Sequence, residues 1–327
     1  MIKKILITGG AGYIGSHVSE VLIKNKKKLF IIDNMSTGHK RLINENAKFY
    51  KANINEKKKI KLIIVKNKID SVIHLAASLV IGKGEKYPKQ YYKNNVLGTE
   101  NLISACIGTT VKNFIFSSTA AVYKDGLYKV TEKSKLKPKS VYGKTKLKAE
   151  KIIINYSKKN RINYGILRYF NIVGSSPNGQ IGLINKDDHL FKNFSIQTLK
   201  KNPIFKIYGS KYNTKDGTCI RDFIHVSDIA EIHNKVLEQI DKKGTSKILN
   251  CGYGKGISVK EVVSEFRKYT NKKFKIIDMP NRKGDLIKII ALTNSLNKFI
   301  KWKPKFNNLK AMVKSSLKWE KSLINQK

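Results

Sequence analysis

The chain has little cysteine, few acidic residues and no long apolar run. Its three cysteines, Cys106, Cys219 and Cys251, are far apart and lack metal-ligand spacing. We therefore expect no disulfide framework, no metal site and a reducing, cytoplasmic location. No apolar segment approaches the roughly 20 residues that cross a bilayer, and the first residues are not typical of a signal peptide. The sequence thus predicts no membrane partner.

Because acidic residues are few, the chain is strongly basic. Lysine and arginine number 66 against 23 aspartates and glutamates, a formal net charge of +43 over 327 residues. Such a field attracts polyanions. Only six of the 66 are arginine, however, and the lysines are spread along the chain rather than clustered with aromatic residues. We therefore expect non-specific, salt-sensitive adhesion but no specific nucleic-acid partner.

The chain is rich enough in apolar residues to fold, with 41% hydrophobic composition. Short apolar runs that predict strands alternate with helix-length segments up to about residue 171, which is typical of a parallel sheet with helices on both faces. A Gly-, Pro- and Asn-rich stretch over 174–185 then breaks this rhythm. We predict a doubly wound α/β domain over 1–172, with 226–243 packing back on it, and a smaller C-terminal α/β substrate domain over 173–327.

The first predicted strand runs directly into a glycine-rich loop. Gly9, Gly12 and Gly15 permit a tight turn, close approach of the backbone to a pyrophosphate, and tight packing of the next helix. Asp33 ends the second predicted strand about 20 residues later, where a carboxylate accepts hydrogen bonds from ribose hydroxyls. This context predicts a Rossmann-type dinucleotide site. A carboxylate there repels a 2′-phosphate, so we expect NAD rather than NADP.

A tyrosine and a lysine lie one helical turn apart at Tyr142 and Lys146. A neighbouring cation stabilises a phenolate, so this pair is a candidate general base. Thr119 follows a predicted strand at the edge where open α/β sheets bind ligands, and its hydroxyl is a candidate partner of the tyrosine. The same spacing recurs at Tyr269 and Lys273, but no strand-end hydroxyl precedes it, so we interpret that pair as a surface helix.

These motifs belong to a longer pattern. The chain resembles the extended short-chain dehydrogenase/reductase family, and within it the UDP-sugar 4-epimerases, over nearly its whole length. The similarity is carried by the blocks Gly9–His17, Asp33–Asn34, Val72–Ala77, Asn94–Gly98, Ser117–Tyr123, Tyr142–Lys146, Arg168–Asn171, Asp216–Val226, Arg282–Asp285 and Trp302–Pro304.

The resemblance implies interconversion of UDP-galactose and UDP-glucose. Tyr142 would take the proton of the sugar 4-hydroxyl, Lys146 would hold the cofactor ribose and lower the tyrosine pKa, and Thr119 would orient the 4-oxygen. C4 would be oxidised transiently with bound NAD, the 4-keto sugar would rotate, and the hydride would return to its other face. NAD is then a recycled prosthetic group.

The resemblance also implies two sets of binding residues. The positions that match the NAD site are Gly9, Gly12, Tyr13, Ile14, Gly15, Asp33, Asn34, Asn53, Ile54, Leu75, Ala76, Ala77, Leu79, Asn94, Tyr142, Lys146 and Phe170. Those that match the UDP-sugar site are Thr119, Asn171, His189, Tyr208, Arg221, Arg282, Asp285 and Ile289, with the two arginines on the diphosphate and Asp285 on the ribose. Asn53, Lys124 and His189 depart from the common pattern.

Several alternatives stay open. Ala120 and Ala121 replace the acidic pair of sugar-nucleotide dehydratases, which disfavours dehydration. Epimerases of UDP-N-acetylhexosamines or UDP-uronic acids share the catalytic residues, and Ile289 is smaller than the tyrosine that narrows some relatives. A non-catalytic NAD-binding or nucleic-acid-binding protein is a remote alternative. We expect a homodimer through the predicted helices Tyr91–Cys106 and Tyr142–Lys158, as in relatives.

Overall fold

The computed structural model describes residues 2–185, 189–281 and 286–325. Its strands are β1 Lys4–Thr8, β2 Lys28–Asp33, β3 Ala47–Lys51, β4 Ser71–His74, β5 Asn113–Thr119, β6 Lys129–Val130, β7 Asn163–Tyr169, β8 Asn171–Val173, β9 Ile204–Tyr208, β10 Ile220–Arg221, β11 Phe223–His225, β12 Lys247–Cys251, β13 Ile257–Ser258, β14 Lys275–Met279 and β15 Lys288–Ala291.

The helices alternate with these strands. They are α1 Tyr13–Lys24, α2 Lys57–Asn67, α3 Ile81–Lys86, α4 Pro88–Tyr92, α5 Gly98–Ala105, α6 Val141–Asn160, α7 Leu190–Thr198, α8 Val226–Lys243, α9 Val259–Thr270, α10 Asn294–Ile300 and α11 Leu309–Ile324, with a π-helical turn Lys93–Leu97 and short 3₁₀ turns Lys40–Leu42 and Ala120–Val122. None of the helices in the described ranges is long and apolar enough to span a bilayer.

The main sheet has seven parallel strands in the order β12-β7-β5-β4-β1-β2-β3. The chain winds outward from β1 to β3 and then restarts on the other side of β1 with β4. This reversal leaves a crevice at the carboxyl ends of β1 and β4, where such sheets bind ligands. The predicted α/β fold with a doubly wound parallel sheet is confirmed.

Helices cover both faces of this sheet because side chains alternate along each strand. Ile5 and Ile7 join a core cluster with α1 and α8 on one face. Leu6 joins a second cluster with α2, α5 and α6 on the other. Helix α8 comes from the segment that we expected to pack back on the sheet, and strand β12 after it also joins the sheet as an edge.

The remaining elements form smaller sheets beside the carboxyl ends of the main sheet. They are a four-stranded sheet β13-β10-β15-β6 and the pairs β11-β8 and β14-β9. A phenylalanine-rich core, with Phe191, Phe194, Phe205 and Phe266 in mutual ring contact, holds α7, α9 and β9 together.

Two elements differ from the sequence analysis. The edge strand β3 was not predicted, since Ala47–Lys51 places lysines among its apolar residues and has no continuous hydrophobic run. The predicted helix Tyr91–Cys106 is interrupted by the π-helical turn Lys93–Leu97. The turn brings Asn94 to Ser78, where the Asn94 amide donates to the Ser78 hydroxyl at 3.0 Å.

Candidate active site

The glycine loop forms a cradle between β1 and α1. Gly9 has a φ of +73°, and a Cβ on it would lie 2.7 Å from the Ala76 amide nitrogen. A Cβ on Gly15 would lie 2.2 Å from the Gly9 carbonyl. Gly12 has only that carbonyl near its Cβ position, at 3.2 Å, and no side chain caps the start of α1. The first amide groups of α1 therefore suit the pyrophosphate of NAD.

Asp33 lies at the end of β2, beside the cradle. Its Oδ2 accepts a hydrogen bond from the Ala11 amide at 3.1 Å and its Oδ1 accepts one from the Met35 amide at 2.9 Å. Gly38 packs against it, because a Cβ there would lie 2.9 Å from Asp33 Oδ1 and from Ala11 Cβ. The carboxylate is thus fixed where a dinucleotide presents its ribose, which fits NAD.

A loop from the smaller sheets crosses this region, and we call residues 174–185 the strap. The Tyr13 hydroxyl donates to the first carbonyl of the strap at 2.6 Å. At its other end, Asn185 Nδ2 donates to the Thr37 carbonyl at 3.0 Å. Asn185 Oδ1 therefore faces His39, whose Nε2 donates to it at 2.9 Å. The strap is fastened to both sides of the cradle.

Helices α7 and α11 fasten the strap from the opposite side. Lys192 Nζ and Trp319 Nε1 both donate to the Leu183 carbonyl, at 2.7 and 2.8 Å. Lys192 also forms a buried ion pair with Glu320, with 2.5 Å between Nζ and Oε1. The strap therefore connects the main sheet to the smaller sheets.

Tyr142 and Thr119 meet at the carboxyl end of β5. Helix α6 begins at Val141, where the Ser140 side chain caps it through the Gly143 amide. Tyr142 lies in this first turn, and its phenol is hydrogen-bonded to the Thr119 side chain. Thr119 Oγ1 also accepts a bond from the Ala121 amide at 3.1 Å, which fixes its rotamer. The predicted tyrosine and threonine are thus in contact.

Lys146 lies one turn further along α6 and is buried. Its Nζ donates to the Ser117 carbonyl at 2.6 Å and lies 4.5 Å from the centre of the Phe116 ring. Burial lowers the pKa of Lys146 to about 7, although the carboxylate of Glu150 acts to raise it. The ammonium is therefore held beside β5, next to the strand-end hydroxyls.

The tyrosine pKa shows how the site depends on added charge. Burial raises the pKa of Tyr142 to about 12, the bond to Thr119 lowers it, and nearby Tyr91 raises it again. Because the protein groups alone favour the neutral phenol, Tyr142 requires further positive charge to act as a base near neutral pH. The oxidised nicotinamide ring of NAD carries such a charge.

The other predicted NAD contacts surround the same crevice. Leu75, Ala76 and Ala77 follow β4, and the Leu75 amide donates to the Thr8 carbonyl at 3.0 Å. Ile54 is buried in the core below Gly98, while Leu79 is exposed. Tyr13 and Ile14 open α1, Asn34 follows β2, Asn94 lies in the π-helical turn, and Phe170 follows β7.

Asn53 makes contacts that its sequence position did not reveal. Its side-chain oxygen accepts hydrogen bonds from the amide and the side chain of Asn55, at 2.9 and 3.0 Å. An adenine amino group must share this oxygen or displace one of these bonds.

Apart from Thr119, the described residues of the predicted substrate site lie on or next to the smaller sheets, with Asn171, Tyr208, Arg221 and Ile289 on strands and His189 just before α7. Arg221 pairs with Ile289 across β10 and β15, and Ile289 is buried in a cluster with Phe170. Asn171 begins β8 and is exposed. His189 donates from Nε2 to the Ile172 carbonyl at 2.7 Å, and Tyr208 ends β9. Arg282 and Asp285 are outside the described residues.

Sequence analysis missed several residues that shape the site. Tyr91 donates to the Val80 carbonyl at 2.6 Å and lies near Tyr142. Ser117 supplies the carbonyl that holds Lys146. Glu150 is buried four residues beyond Lys146, a spacing that places it on the same helix face and could have been noticed. The second tyrosine–lysine pair does not form, since α9 ends at Thr270 between its two members.

The fold and this site define a Rossmann-type α/β protein that carries a tyrosine–lysine pair beside a dinucleotide cradle. A family model described as "NAD dependent epimerase/dehydratase family" matches residues 5–252. The chain therefore belongs to the NAD-dependent epimerase/dehydratase family, whose cofactor is NAD, and the predicted resemblance is confirmed.

Three relatives illustrate the similarity. A UDP-glucose 4-epimerase of Halalkalibacterium halodurans is 37% identical over 319 residues, 97% of this chain and 95% of the relative. The structure of the UDP-Glc/GlcNAc 4-epimerase of Campylobacter jejuni has a TM-score of 0.85 at 37% identity, covering 98% and 99% of the two chains. That of the Brucella ovis UDP-glucose 4-epimerase in complex with NAD has a TM-score of 0.91 at 31% identity, covering 96% and 97%.

Proposed function

We propose that this protein is a UDP-glucose 4-epimerase that interconverts UDP-galactose and UDP-glucose with bound NAD. The observation that carries the proposal is the contact of Tyr142 with Thr119, beside Lys146 and at the mouth of the glycine cradle. The relatives at 37% identity, of which one is named a UDP-glucose 4-epimerase and one a UDP-Glc/GlcNAc 4-epimerase, support the same activity.

In the proposed mechanism the chain moves one proton and holds two ligands. Tyr142 accepts the proton of the sugar 4-hydroxyl and later returns it. Thr119 orients the 4-oxygen through its own hydroxyl, which is also hydrogen-bonded to Tyr142. Lys146 holds the cofactor ribose and favours the phenolate. Bound NAD supplies the reversible hydride acceptor at C4 of the sugar. No net oxidation results.

Inversion at C4 also requires that UDP stay fixed while the 4-keto sugar turns. We propose that Arg221 and Arg282 bind the diphosphate, since guanidinium groups match phosphate oxygens. Asp285 would bind the uridine ribose, and Asn171 and Tyr208 would contact the substrate. The exposed Asn171 and the half-buried Arg221 border the crevice from the smaller sheets, which supports this division of roles.

Retention of NAD is part of the proposal. A recycled prosthetic group must not exchange between turnovers. The strap is hydrogen-bonded to Tyr13 at the start of α1 and to the loop that follows Asp33. We infer that it closes over the pyrophosphate and adenosine side of NAD and slows cofactor release.

The test is turnover of UDP-galactose by purified protein without added NAD, followed by proton NMR. We expect the signals of UDP-glucose to appear and the two sugars to equilibrate, because the cofactor is retained. Failure to convert UDP-galactose even with NAD supplied would contradict the hexose assignment, and would make UDP-uronic acids and N-acetylated sugars the next substrates to test.

Ile289 favours a second substrate class, the UDP-N-acetylhexosamines. Its side chain is smaller than tyrosine and is buried in a cluster with Phe170 and Ala120. The smaller side chain would leave room for a 2-N-acetyl group. We expect UDP-N-acetylgalactosamine to be converted in the same assay, with a reduced rate in I289Y. Enzyme that converts UDP-galactose but leaves UDP-N-acetylgalactosamine unchanged would reject the broader specificity.

We also propose a homodimer and a cytoplasmic location. Helices α5 and α6 lie side by side, joined by the Tyr156 hydroxyl, which donates to Glu100 at 3.2 Å. Lys148 on α6 also donates to the Tyr92 hydroxyl at the end of α4, at 2.8 Å. Leu97 is exposed on this surface. Pairing of two such surfaces would form a four-helix bundle, and a sedimentation mass near 37 kDa rather than twice that value would contradict it.

We retain the proposed division of the chain, with NAD bound by the part around 1–172 and the UDP-sugar by the part around 173–327. The three free cysteines are buried, which is compatible with a reducing compartment.

A further inference from the structure

A buried carboxylate lies behind the proposed catalytic residues, and the mechanism above does not use it. Glu150 follows Tyr142 by eight residues and Lys146 by four on α6, so the three side chains share one face of the helix. The Glu150 side chain is 2% exposed. A carboxylate this deep requires compensating partners, because its charge has lost its contact with water.

Its partners come from the two strands that underlie the site. Arg168 on β7 donates from Nε to Oε1 at 3.0 Å and from its terminal nitrogen to Oε2 at 2.7 Å. The Ser118 hydroxyl on β5 donates to Oε1 at 2.5 Å. Ser118 and Arg168 are themselves paired residues of neighbouring strands. Glu150 thus binds α6 to β5 and β7 at a single point.

That point lies between the two contacts on which the mechanism depends. Ser118 is flanked by Ser117, whose carbonyl accepts from Lys146, and by Thr119, which is hydrogen-bonded to Tyr142. A displacement of α6 relative to β5 would lengthen both contacts. The Glu150 carboxylate opposes such a displacement.

Glu150 also sets the charge near Lys146. The groups facing Lys146 are Glu150 from its own helix, the Ser117 carbonyl and hydroxyl and the Phe116 ring from β5, and His74 from β4. Burial and Lys146 together lower the pKa of His74 to about 3. Arg168 lies behind the carboxylate on β7. Burial lowers the pKa of Lys146, and Glu150 raises it.

We propose that Glu150 is a positioning residue of this site, which fixes helix α6 against strand β5 and keeps Lys146 charged beside Tyr142. The inference rests on the proposed epimerase function. It predicts that the carboxylate affects how activity depends on pH, in addition to how well the protein folds.

The test compares the pH dependence of kcat/KM in wild type, E150Q and R168K. We expect kcat/KM to fall at high pH as Lys146 loses its proton. In E150Q this fall should occur about one pH unit lower, because the negative charge that favours the ammonium is gone. R168K keeps both charges but loses the bidentate contact with Glu150, so it should reduce kcat without changing the pH at which kcat/KM falls. NAD content and KM for the UDP-sugar should change little in E150Q.

The control for loss of a buried carboxylate is E320Q, in the buried pair of Lys192 and Glu320. It should reduce stability and leave the high-pH fall in place. If E150Q does not fold, the double variant E150Q/R168M removes the pair without leaving an unpaired charge, and the same downward movement is expected.

Two outcomes separate the inference from the function on which it rests. If the wild-type protein is active and kcat/KM of E150Q, or of the double variant, falls at the same high pH as that of the wild type, Glu150 is only structural and the inference is overturned. Wild-type protein without 4-epimerase activity would instead overturn the proposed function.

Discussion

At the scale of single residues, the site depends on a phenol that its own protein keeps neutral. Burial raises the pKa of Tyr142 to about 12 and lowers that of Lys146 to about 7. The two shifts oppose the charged pair that the mechanism requires. We therefore expect cofactor charge and Glu150 to complete the electrostatics, so that Tyr142 acts as a base only when NAD is bound.

Replacement of Tyr142 tests the base directly. Y142F removes the hydroxyl that carries the proton and should lower kcat by about 10²- to 10⁴-fold, with little change in KM. The matched control is Y269F, since Tyr269 belongs to the other tyrosine–lysine spacing and is 38% exposed on α9. Initial rates measure both variants. Y142F with more than a tenth of wild-type kcat would show that another group is the base.

Replacement of Lys146 tests the electrostatic role of the cation. A low-pH rise in kcat/KM reports loss of the phenol proton, because the base must be ionised. K146M removes a positive charge near Tyr142, so the pKa of the phenol should increase and the rise should move to higher pH, with a lower rate throughout. The measurement is kcat/KM between pH 5.5 and 9.5. A rise that stays at the wild-type pH in K146M would contradict this role.

At the scale of elements, the strap connects the proposed cofactor and substrate regions. N185A removes the bonds to His39 and to the Thr37 carbonyl. At about 1 kcal/mol for each bond, the loss is about 2 kcal/mol, so NAD should dissociate on the order of 30-fold faster. The matched control is N178A, because among the described residues the Asn178 side chain bonds to Ser176 and Gln180, both within the strap.

The measurement is the activity that remains without added cofactor after gel filtration, which reports how much NAD each protein has lost. Activity of N185A should fall and be restored by added NAD, while N178A should behave as wild type. Equal retention of NAD in all three proteins would show that the strap does not hold the cofactor.

The elements also show which parts of the molecule the sequence could reveal. The cradle and Asp33 were predictable because both depend on local sequence next to a buried strand. Strand β3 was not, since an edge strand tolerates the lysines of Ala47–Lys51. The π-helical turn at Lys93–Leu97 brings Asn94 to Ser78, and such a long-range contact leaves no periodic signal in the sequence.

The same limit applies to the site. Tyr142, Lys146 and Thr119 were found through a local spacing and a strand end. The link from Glu150 to Arg168 joins a helix to a strand through a tertiary contact, and only the helical spacing to Lys146 hinted at it.

At the scale of the whole molecule, buried histidines make stability depend on pH. Burial lowers the pKa of five of them, to about 4 for His17 and His233, to about 3 for His74 and His225, and below its usual value for His189. Between pH 6.5 and about 4 the unfolded chain therefore binds more protons than the folded one, and the free energy of unfolding falls as pH falls. Asp222 opposes this in part, since burial raises its pKa to about 6.

Denaturant unfolding at pH 7 and pH 5 measures the sum of these effects. We expect a loss on the order of 5 kcal/mol. The control is the same pair of measurements in high salt, which screens the repulsion due to the net charge of +43 but leaves proton uptake in place. A loss that disappears in high salt would assign the effect to general charge repulsion and contradict the role of the histidines.

We propose that C4 of the sugar is oxidised and reduced within one binding event. The decisive experiment uses UDP-galactose labelled with deuterium at C4, with conversion followed by NMR and mass spectrometry in ordinary water. We expect UDP-glucose that keeps its deuterium at C4, because the same hydride returns. Loss of the label to solvent during conversion would rule out this mechanism, since C4 would then be inverted by proton exchange.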